Sequence, residues 1–453
     1  MANFSINFKR IVLLLGDILL LALALWLTLE LRYWANYSSA LWQSHWSIFW
    51  LLYLLWLPIF YAFNLYDWRG NSLVVPLITN LIKATIANAV IAIVYFYLIS
   101  PDSNLTPKTI LGLNLVATFI LLFIWRRVFF SFIKIPGWEN NFVLIGWDPL
   151  VEEIIKEAPE LGYQTKALFD PSQAKIPSLN IPVYRALEQL PQIIRQEKVK
   201  LIVLTNSLSE PQISLLFKIL PLKINFIGLT NFYERLFQKI PLAIISQTWF
   251  LENLTEGDKA LMETAKRIFD IILALLIGII SLPFIPLISL IIYLDSRGEI
   301  FFCQTRTGQD GKNFTAVKFR TMYRDSERKG PQWASANDPR ITRVGRFLRK
   351  LRIDEIPQLW NILIGEMSFV GPRPERPEFI NELIKTIPFY RERLLVKPGL
   401  TGWAQINFSY ASSVEDSLKK LQYDLYYIKN RSFFLDLGII LKTINTILKG
   451  AGR

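Results

Sequence analysis

The stretch IFDIILALLIGIISLPFIPLISLIIYL, residues 268–294, decides how this chain is arranged around a membrane. It exceeds the roughly 20 apolar residues that a bilayer-crossing helix needs. Pro283 and Pro286 fall in its middle, where each removes a helical hydrogen bond and favours a bend. Ser281 is placed to bond a carbonyl that this break leaves free. The stretch therefore predicts a helix that enters the bilayer, breaks at Pro283 and returns, with a bent helix that crosses completely as the alternative.

The distribution of charge favours a return to the side of entry. The chain carries a net charge of +13, and residues 259–453 hold 30 Lys and Arg against 19 Asp and Glu. Basic flanking segments stay on the cytoplasmic side of bacterial membranes. A crossing helix would place this basic segment outside, whereas a re-entrant helix keeps it inside. The basic excess also predicts an anionic partner, namely phosphates, nucleic acid or lipid headgroups.

Composition excludes several classes of protein. With 453 residues, 52% of them hydrophobic and 19% charged, and a mean hydropathy of +0.31, the chain is more apolar than a soluble domain. The single cysteine, Cys303, excludes a disulfide scaffold and is expected to be a small buried side chain. The single histidine, His45, is too few for a His-based metal site or a Ser-His-Asp triad. Catalysis must then use carboxylates, lysines, arginines or a bound ion.

Four apolar runs in the first 135 residues predict four transmembrane helices. Each has about the length that a bilayer requires. Basic residues precede the first run and follow the fourth, which places both ends in the cytoplasm. Asp17 is expected to pair inside the bundle and Lys83 to extend to the membrane surface, a functional intramembrane charge being the alternative. The four runs are Ile11–Leu31, Trp46–Tyr66, Val74–Ile99 and Thr109–Trp125.

The middle segment alternates short apolar strands with amphipathic stretches, which predicts a Rossmann-like domain with a parallel sheet. In the turn after the first strand, Asp148 and Val151 stand where a dinucleotide-binding turn has its second and third glycines. Asp148 would repel a pyrophosphate, so a structural or regulatory domain is expected, although Asp170 lies where a ribose-binding acid would. The predicted strands are Phe142–Ile145, Thr165–Phe169, Leu201–Leu204 and Ile224–Ile227.

The C-terminal segment contains the candidate site in the stretch RKLRIDEIP, residues 349–357. Arginines at 343, 346, 349 and 352 recur at every third residue and form one basic stripe on a helix. Adjacent helical residues do not face each other, so Asp354 and Glu355 are not expected to share a proton. Arginine suits phosphate oxygens and carboxylate suits Mg²⁺, so a phosphate and metal site and a solvated helix face both stay open at this point.

Further motifs lie on both sides of this stretch: KFRT at 318–321, GPRP at 371–374 and KPGLTGWAQ at 397–405. In GPRP the prolines hold the arginine in a stiff turn, either as a structural loop or as a phosphate contact. In order and spacing, the motifs of residues 259–453 resemble the bacterial sugar transferase family. These are the polyprenyl-phosphate hexose-1-phosphate transferases that begin exopolysaccharide and O-antigen assembly. Over residues 1–258 only the architecture of the long members is similar.

The resemblance implies transfer of a hexose-1-phosphate from a UDP-sugar to undecaprenyl phosphate, with release of UMP. It implies that Asp354 is the nucleophile that forms a covalent aspartyl phosphosugar, with Mg²⁺ bound near this carboxylate. Glu355, Lys318 and Asp436 are implied as further catalytic residues. The substrate-binding residues suggested by the motifs are Arg349, Arg320, Arg352, Pro372, Arg373 and Pro374.

The expected protein is a mixed α and α/β membrane protein of three parts. Residues 1–135 form a four-helix transmembrane bundle, and residues 136–258 form a degenerate, CoA-binding-like Rossmann-like cytoplasmic domain. Residues 259–453 form a monotopic catalytic domain whose re-entrant helix spans residues 266–294. The bacterial inner membrane is the expected location, with the catalytic domain on its cytoplasmic face and the lipid bilayer as a partner.

Three matters stay open at this point. A nucleic-acid partner is not expected, since it would need no membrane spans, but a catalytically silent scaffold of polysaccharide assembly is a genuine rival. The identity of the sugar and the formation of a homodimer are undecided.

The chain also departs from the family pattern at two places. Leu282 replaces the serine of a common Ser-Pro break, and residues 406–410, INFSY, lack an Asn-Gly-Arg found in many relatives. Substrate preference is expected to differ accordingly.

Overall fold

The computed structural model describes residues 2–34, 38–67, 74–98, 108–133, 140–171, 176–205, 208–254, 260–324, 326, 338–408 and 413–448. The chain forms two compact units that divide between Phe232 and Tyr233. The sequence placed the last domain boundary at residue 258, but Ile240 and Trp249 pack into the core of the C-terminal unit. The segment before residue 258 therefore contributes to that unit.

The N-terminal unit begins with four long apolar helices. Between 28% and 39% of the apolar window of each helix is buried, so most of this surface is left for lipid. Together with the segment Leu261–Asp295, five helical stretches among the described residues are long and apolar enough to cross a membrane. The N-terminal helices are α1 (Ala2–Tyr33), α2 (Ser39–Ala62), α3 (Val74–Leu98) and α4 (Lys108–Ile133).

Asp17 pairs within this group of helices, as the sequence predicted. Its two carboxylate oxygens each lie 2.7 Å from a guanidinium nitrogen of Arg126, and both side chains are fully buried. The Arg126 Nε also donates to the Leu65 carbonyl at 3.2 Å. The sequence placed Arg126 after the fourth apolar run as a cytoplasmic flank, whereas the structure places it inside α4. The pair fixes α1 to α4, since separating it would leave a buried charge without a counter-ion.

A five-stranded parallel sheet follows, which confirms the predicted α/β pattern. The strand order is β3-β2-β1-β4-β5. Residues such as Val143, Phe169 and Ile202 are fully buried between the sheet and its helices. The two-residue strand β3 was not predicted, because it is too short to show a period. The elements are β1 (Asn140–Ile145), α5 (Pro149–Glu157), β2 (Tyr163–Phe169), β3 (Val183–Tyr184), α6 (Leu190–Gln196), β4 (Leu201–Leu204), α7 (Glu210–Phe217) and β5 (Asn225–Gly228).

The turn after β1 supplies the residue that caps the N-terminus of the next helix, α5. The Asp148 side chain accepts a hydrogen bond from the Leu150 backbone N–H at 2.9 Å and so caps α5. This carboxylate stands where a pyrophosphate would meet the helix N-terminus. Asp170, the candidate ribose ligand, lies 2.8 Å from the Arg185 guanidinium.

The C-terminal unit combines short strand pairs with helices. Its core includes the fully buried Ile362, Met367, Leu421 and Ile428. The elements are α8 (Leu229–Phe237, which begins before the division), α9 (Gln247–Asn253), α10 (Ala260–Ser281), α11 (Ile285–Asp295), β6 (Phe301–Thr307), β7 (Asn313–Phe319), α12 (Arg343–Lys350), α13 (Leu359–Ile364), β8 (Ser368–Val370), α14 (Pro377–Thr386), β9 (Gly399–Thr401), α15 (Trp403–Asn407), α16 (Val414–Asn430) and α17 (Phe433–Leu448).

The apolar segment of this unit is interrupted at its prolines. A 3₁₀ turn, Leu282–Phe284, separates α10 from α11, and Pro283 and Pro286 stand at the starts of the two new helical segments. At these positions the missing N–H costs no helical bond. The Ser281 hydroxyl donates to the Gly278 carbonyl at 3.0 Å, whereas the carbonyls whose i+4 partners are Pro283 and Pro286 belong to Ile279 and Leu282.

Both ends of this helical segment contact the same compact unit. Near its start, Asp270 accepts a hydrogen bond from the Phe369 backbone N–H at 3.1 Å. At its end, Asp295 accepts one from the Val344 N–H at 3.1 Å, and Ile292 is buried. Between them only 11% of the apolar window is buried. A straight helix over the 25 residues from Asp270 to Asp295 would hold these two contacts about 38 Å apart.

Candidate active site

The two acids lie in a tight turn that follows the basic helix. The Thr342 hydroxyl caps α12 by accepting from the Gly345 N–H at 2.9 Å. After α12, Arg352 has φ of 54° and turns the chain into a 3₁₀ helix, Ile353–Gln358. This turn buries Asp354 and Glu355, which are 7% and 6% exposed. It also divides the predicted stripe, since the arginines at 343 and 346 face solvent while those at 349 and 352 are partly buried.

Glu355 is held by three cations. Its carboxylate oxygens lie 3.0 Å from Arg373, 3.4 Å from Arg352 and 3.8 Å from Lys318. Burial alone would raise the pKa of Glu355, but these three positive charges outweigh burial and hold it below the usual range. Glu355 is therefore an ionised side chain that organises the cations around it.

Asp354 has the opposite environment. Among the residues that the structure describes, none forms a hydrogen bond or ion pair with its carboxylate. Burial and the neighbouring charge of Glu355 raise its pKa, while Lys318, Arg349 and Arg373 act against the rise. The result is a buried carboxylate with unused oxygens beside positive charge, which is the environment of a nucleophile or a ligand.

Lys318 and Arg373 border a small open cavity at the surface. Burial, followed by the charge of Arg373, lowers the pKa of Lys318 to about 8. Arg306 of β6, which the sequence did not single out, also lines the cavity and donates to the Pro374 carbonyl at 3.1 Å. The lining residues are Arg306, Ala316, Lys318, Glu355, Gln358, Arg373, Pro374, Gly399 and Leu400.

Close packing of backbones explains the glycines in the GPRP and KPGLTG motifs. The Gly371 N–H donates to the Thr401 carbonyl and the Gly399 N–H donates to the Pro372 carbonyl, both at 2.9 Å. A Cβ on either glycine would overlap the main chain of the other segment. This contact fixes the loop that carries Arg373.

Further ion pairs, missed in the sequence, support this loop. Arg393 donates to the Arg373 carbonyl at 3.0 Å and lies 2.9 Å from Asp424, with both members of the pair 2% exposed. Lys420 lies 2.6 Å from Glu375. The partners are 31 and 45 residues apart in sequence, so no local pattern relates them.

Asp436 forms its contacts outside the pair of acids Asp354 and Glu355. Its carboxylate lies 2.5 Å from Lys266 and 2.8 Å from the Tyr427 hydroxyl, which also contacts the Val370 carbonyl at 3.1 Å. Burial raises the pKa of Asp436, and Lys266 opposes that rise. None of these contacts is with Asp354, so the structure does not bring the two acids into direct contact.

The two remaining predicted arginines of this region differ in placement. Arg349 donates to the Thr321 hydroxyl at 2.8 Å, and its charge acts on Asp354. Arg320 is placed elsewhere, since its guanidinium bonds to the carbonyl of Ser296, which follows α11. Of the departure at residues 406–410, Ser409 and Tyr410 lie outside the described residues.

The binding of Mg²⁺ stays a prediction, whereas the predicted burial of Cys303 has a clear outcome. No group of three or more His, Cys, Asp or Glu side chains suited to a metal occurs in the described part of the chain. Mg²⁺ is commonly held by one or two carboxylates with substrate phosphates and water, and the unused oxygens of Asp354 fit that donor set. The expectation that Cys303 is buried is wrong, because it lies on the outer face of the two-stranded sheet and is exposed.

A carboxylate that has no partner among the described residues, with arginines and a lysine nearby, is a chemical setting suited to phosphate groups. Residues 261–450 match the profile of the bacterial sugar transferase family. The chain is 41% identical over 191 residues to "Uncharacterized sugar transferase EpsL" of Bacillus subtilis (strain 168), a match covering 41% of this chain and 89% of that protein. The chain therefore belongs to the bacterial sugar transferase family, as the motifs predicted.

Two longer relatives match the same region. Identity is 45% over 187 residues with the "UDP-N-acetylgalactosamine-undecaprenyl-phosphate N-acetylgalactosaminephosphotransferase" of Aeromonas hydrophila, covering 41% of this chain and 44% of that protein. It is 42% over 181 residues with the "UDP-glucose:undecaprenyl-phosphate glucose-1-phosphate transferase" of Escherichia coli (strain K12), covering 40% and 39%. The match thus spans less than half the length of these two relatives.

Proposed function

We propose that this protein transfers a sugar-1-phosphate from a UDP-sugar to undecaprenyl phosphate through a covalent intermediate on Asp354. The single observation that carries the proposal is the contrast between the two adjacent acids. Glu355 is neutralised by three cations, whereas Asp354 is buried, close to the same positive charge and without a hydrogen bond or ion pair to any described residue. The named activities of the relatives supply the substrate classes.

In the first step, an oxygen of the Asp354 carboxylate attacks the phosphorus that bears the sugar. The bond from that phosphorus to the bridging oxygen breaks, and UMP leaves with the bridging oxygen. Lys318 and Arg373, which border the cavity, bind the diphosphate oxygens and stabilise the charge that develops on UMP. The ammonium form of Lys318 is the form that binds, so this contribution falls as the pH rises through its pKa of about 8.

In the second step, an oxygen of undecaprenyl phosphate attacks the phosphorus of the aspartyl phosphosugar. The acyl phosphate bond breaks, the Asp354 carboxylate is regenerated, and the sugar-1-phosphate is now attached to the lipid through a diphosphate. A carboxylate suits both steps because it is a competent nucleophile and a good leaving group once phosphorylated.

We assign Glu355 a positioning role rather than a proton-transfer role. Its lowered pKa keeps it ionised, so it is a poor proton donor at neutral pH. Its oxygens instead hold Arg373 and Lys318 beside the cavity. A bound Mg²⁺, held by Asp354 and substrate phosphates, would add neutralisation of the diphosphate charge.

We further propose that the segment α10–α11 enters and leaves the same face of the bacterial inner membrane, with the catalytic unit in the cytoplasm, where UDP-sugars are made. Asp270 and Asp295 contact the same unit, and the apolar residues between them are mostly exposed. Pro283 provides the interruption that such a return needs.

The exposed Cys303 tests this orientation, since it is the chain's only cysteine. A membrane-impermeant maleimide is expected to label it in inverted vesicles and not in intact spheroplasts, with Cys303→Ser as the unlabelled control. Pro283→Ala should straighten the segment and increase labelling in spheroplasts. Labelling of the wild type in intact spheroplasts would contradict the re-entrant arrangement.

The activity is tested by UMP release from purified protein given undecaprenyl phosphate, Mg²⁺ and a panel of UDP-sugars. One donor is expected to give UMP, and Asp354→Asn is expected to abolish it. Glu415→Gln, at an exposed position on α16, is the matched control. Absence of UMP with every donor, from protein shown to be folded, would favour a catalytically silent scaffold instead.

A further inference from the structure

Two positively charged side chains, those of Arg267 and Lys397, lie close to Gly365 at the end of α13. Gly365 ends this helix with φ of 90°, a backbone conformation that side chains disfavour. A Cβ added to Gly365 would lie 3.4 Å from a guanidinium nitrogen of Arg267 and 3.6 Å from Nζ of Lys397. Because Gly365 has no side chain, a space remains between the Arg267 guanidinium and the Lys397 ammonium. We call this space the cradle.

Among the residues that the structure describes, neither cation has an acidic partner in this cradle. Arg267 donates to the main-chain carbonyls of Ile362 and Leu363, at 2.5 and 2.6 Å. Lys397 is half-buried, and its ammonium forms no hydrogen bond or ion pair with any residue that the structure describes. Burial and the charge of Arg267 lower the pKa of Lys397. Two adjacent half-buried charges of one sign repel each other, and an anion between them removes that cost.

The acids and the lysine nearest to this cradle are already engaged. Asp270 accepts from the Phe369 N–H at 3.1 Å, and Glu263 lies 2.9 Å from Arg431. Lys266 lies 2.5 Å from Asp436. Within the described part of the chain, no acid forms an ion pair with Arg267 or Lys397, so their charge is available to a ligand from outside the chain.

The position of the cradle indicates the kind of ligand. In α10, Arg267 is followed by the apolar residues Ile268 and Ile272, which are 55% and 60% exposed. Arg267 therefore stands where α10 becomes apolar. Lys397 stands two residues before Gly399, which lines the cavity. At the extended-chain rise, that separation is about 7 Å. The cradle thus lies between the lipid-facing helix and the cavity.

We propose that Arg267 and Lys397, facing each other over Gly365, bind the phosphate group of a membrane lipid. The proposal rests on the membrane orientation proposed above, which sets this point at the depth of the headgroups. Two lipids carry the required chemistry: undecaprenyl phosphate, through its phosphate monoester, and an anionic phospholipid, through its headgroup phosphate. A charged pair at the apolar boundary recognises either one by the same contacts.

The test is native mass spectrometry of the detergent-solubilised full chain carrying Asp354→Asn, without a sugar donor, so that no lipid is consumed. The probes are undecaprenyl phosphate, phosphatidylglycerol and undecaprenol, which lacks phosphate. Lys397→Gln is expected to weaken phosphate-lipid binding by about tenfold, and to leave undecaprenol unchanged. Lys419→Gln, which removes the same charge from an exposed position, is expected to bind like the parent protein.

Gly365→Ala fills the cradle and is expected to weaken binding in the same direction. Should its strained backbone prevent folding, Lys397→Gln decides the matter, since no strain is introduced there. A loss confined to undecaprenyl phosphate assigns the cradle to the acceptor, and one confined to phosphatidylglycerol assigns it to the bilayer headgroups. Unchanged binding of both overturns the proposal. Binding needs no turnover, so a failure of the UMP assay leaves this result independent.

Discussion

Replacing Glu355 with glutamine is expected to move the alkaline limit of activity to lower pH. In the wild-type protein, Lys318 has a pKa of about 8, and activity is expected to fall as the pH rises through that value because the ammonium is lost. Glu355 is one of the charges that raise this pKa, against the effects of burial and Arg373. Its removal therefore makes Lys318 lose its proton more readily.

The size of the shift follows from the separation of the two charges. Lys318 Nζ and Glu355 Oε1 lie 3.8 Å apart. At that distance the attraction is about 1 kcal/mol in water and about 4 kcal/mol at an effective dielectric constant of about 20. Since one pKa unit corresponds to about 1.4 kcal/mol, the alkaline limit should move down by about one to three units.

The assay is kcat/KM for the UDP-sugar, measured by UMP release across pH, because this ratio reports ionisation of the free enzyme. Glu415→Gln, whose side chain is 76% exposed, removes the same charge far from burial and should keep the wild-type profile. The Lys318→Arg variant keeps a positive charge at this position across the pH range, so its activity should no longer fall near pH 8. An unchanged alkaline limit in Glu355→Gln would refute the assignment of Glu355 as the counter-ion of Lys318.

Two further substitutions test other parts of the structure. Gly399→Ala sets a Cβ against the neighbouring main chain and should destabilise the protein by about 1–3 kcal/mol and reduce UMP release. Gly228→Ala, where a Cβ meets no atom within 4 Å, is its control in thermal unfolding, and equal stability of the two would contradict the reasoning. Asp17→Asn leaves the buried Arg126 without its counter-ion and should cost about 3–5 kcal/mol. An unaltered melting temperature of the detergent-solubilised variant would argue against that estimate.

Much of the fold was predictable because its signals are local. An apolar run of helical length predicts α1 to α4, and alternating short strands predict the parallel sheet. Pro283 marks the interruption between α10 and α11 for the same reason, since proline lacks the N–H that a continuous helix needs. Non-local facts were not predictable. Arg126 follows a run in sequence, but it is buried in α4 because Asp17, 109 residues away, neutralises it.

Several members of the candidate site were predictable, but their individual roles were not. Arg320 and Asp436 form their contacts elsewhere, and the cavity-lining Arg306 was not predicted. The sequence placed Asp354, Glu355, Lys318 and Arg373 in one region through motif order. It did not report which acid the cations neutralise, because that depends on the turn at Arg352. Cys303 was misplaced because a two-stranded sheet has an outer face, and alternation along β6 turns it outward.

The ion pair that supports the Arg373 loop was also not predictable from the sequence. Arg393 and Asp424 are single charged residues in unremarkable sequence surroundings, and only their contact across the fold shows that they hold a carbonyl of the loop. A buried charge pair of this kind carries no local signature, so sequence alone could not separate it from a solvated pair.

The central claim is that Asp354 takes up the sugar-1-phosphate, and intact-protein mass spectrometry tests it most directly. The full chain is mixed with a UDP-sugar and Mg²⁺ in the absence of undecaprenyl phosphate, then quenched and weighed. The account predicts a mass increase equal to one sugar phosphate in the wild type, located on Asp354 by peptide mapping and absent from Asp354→Asn. The same adduct on Asp354→Asn, or UMP release by the wild type with the adduct on another residue, would contradict it.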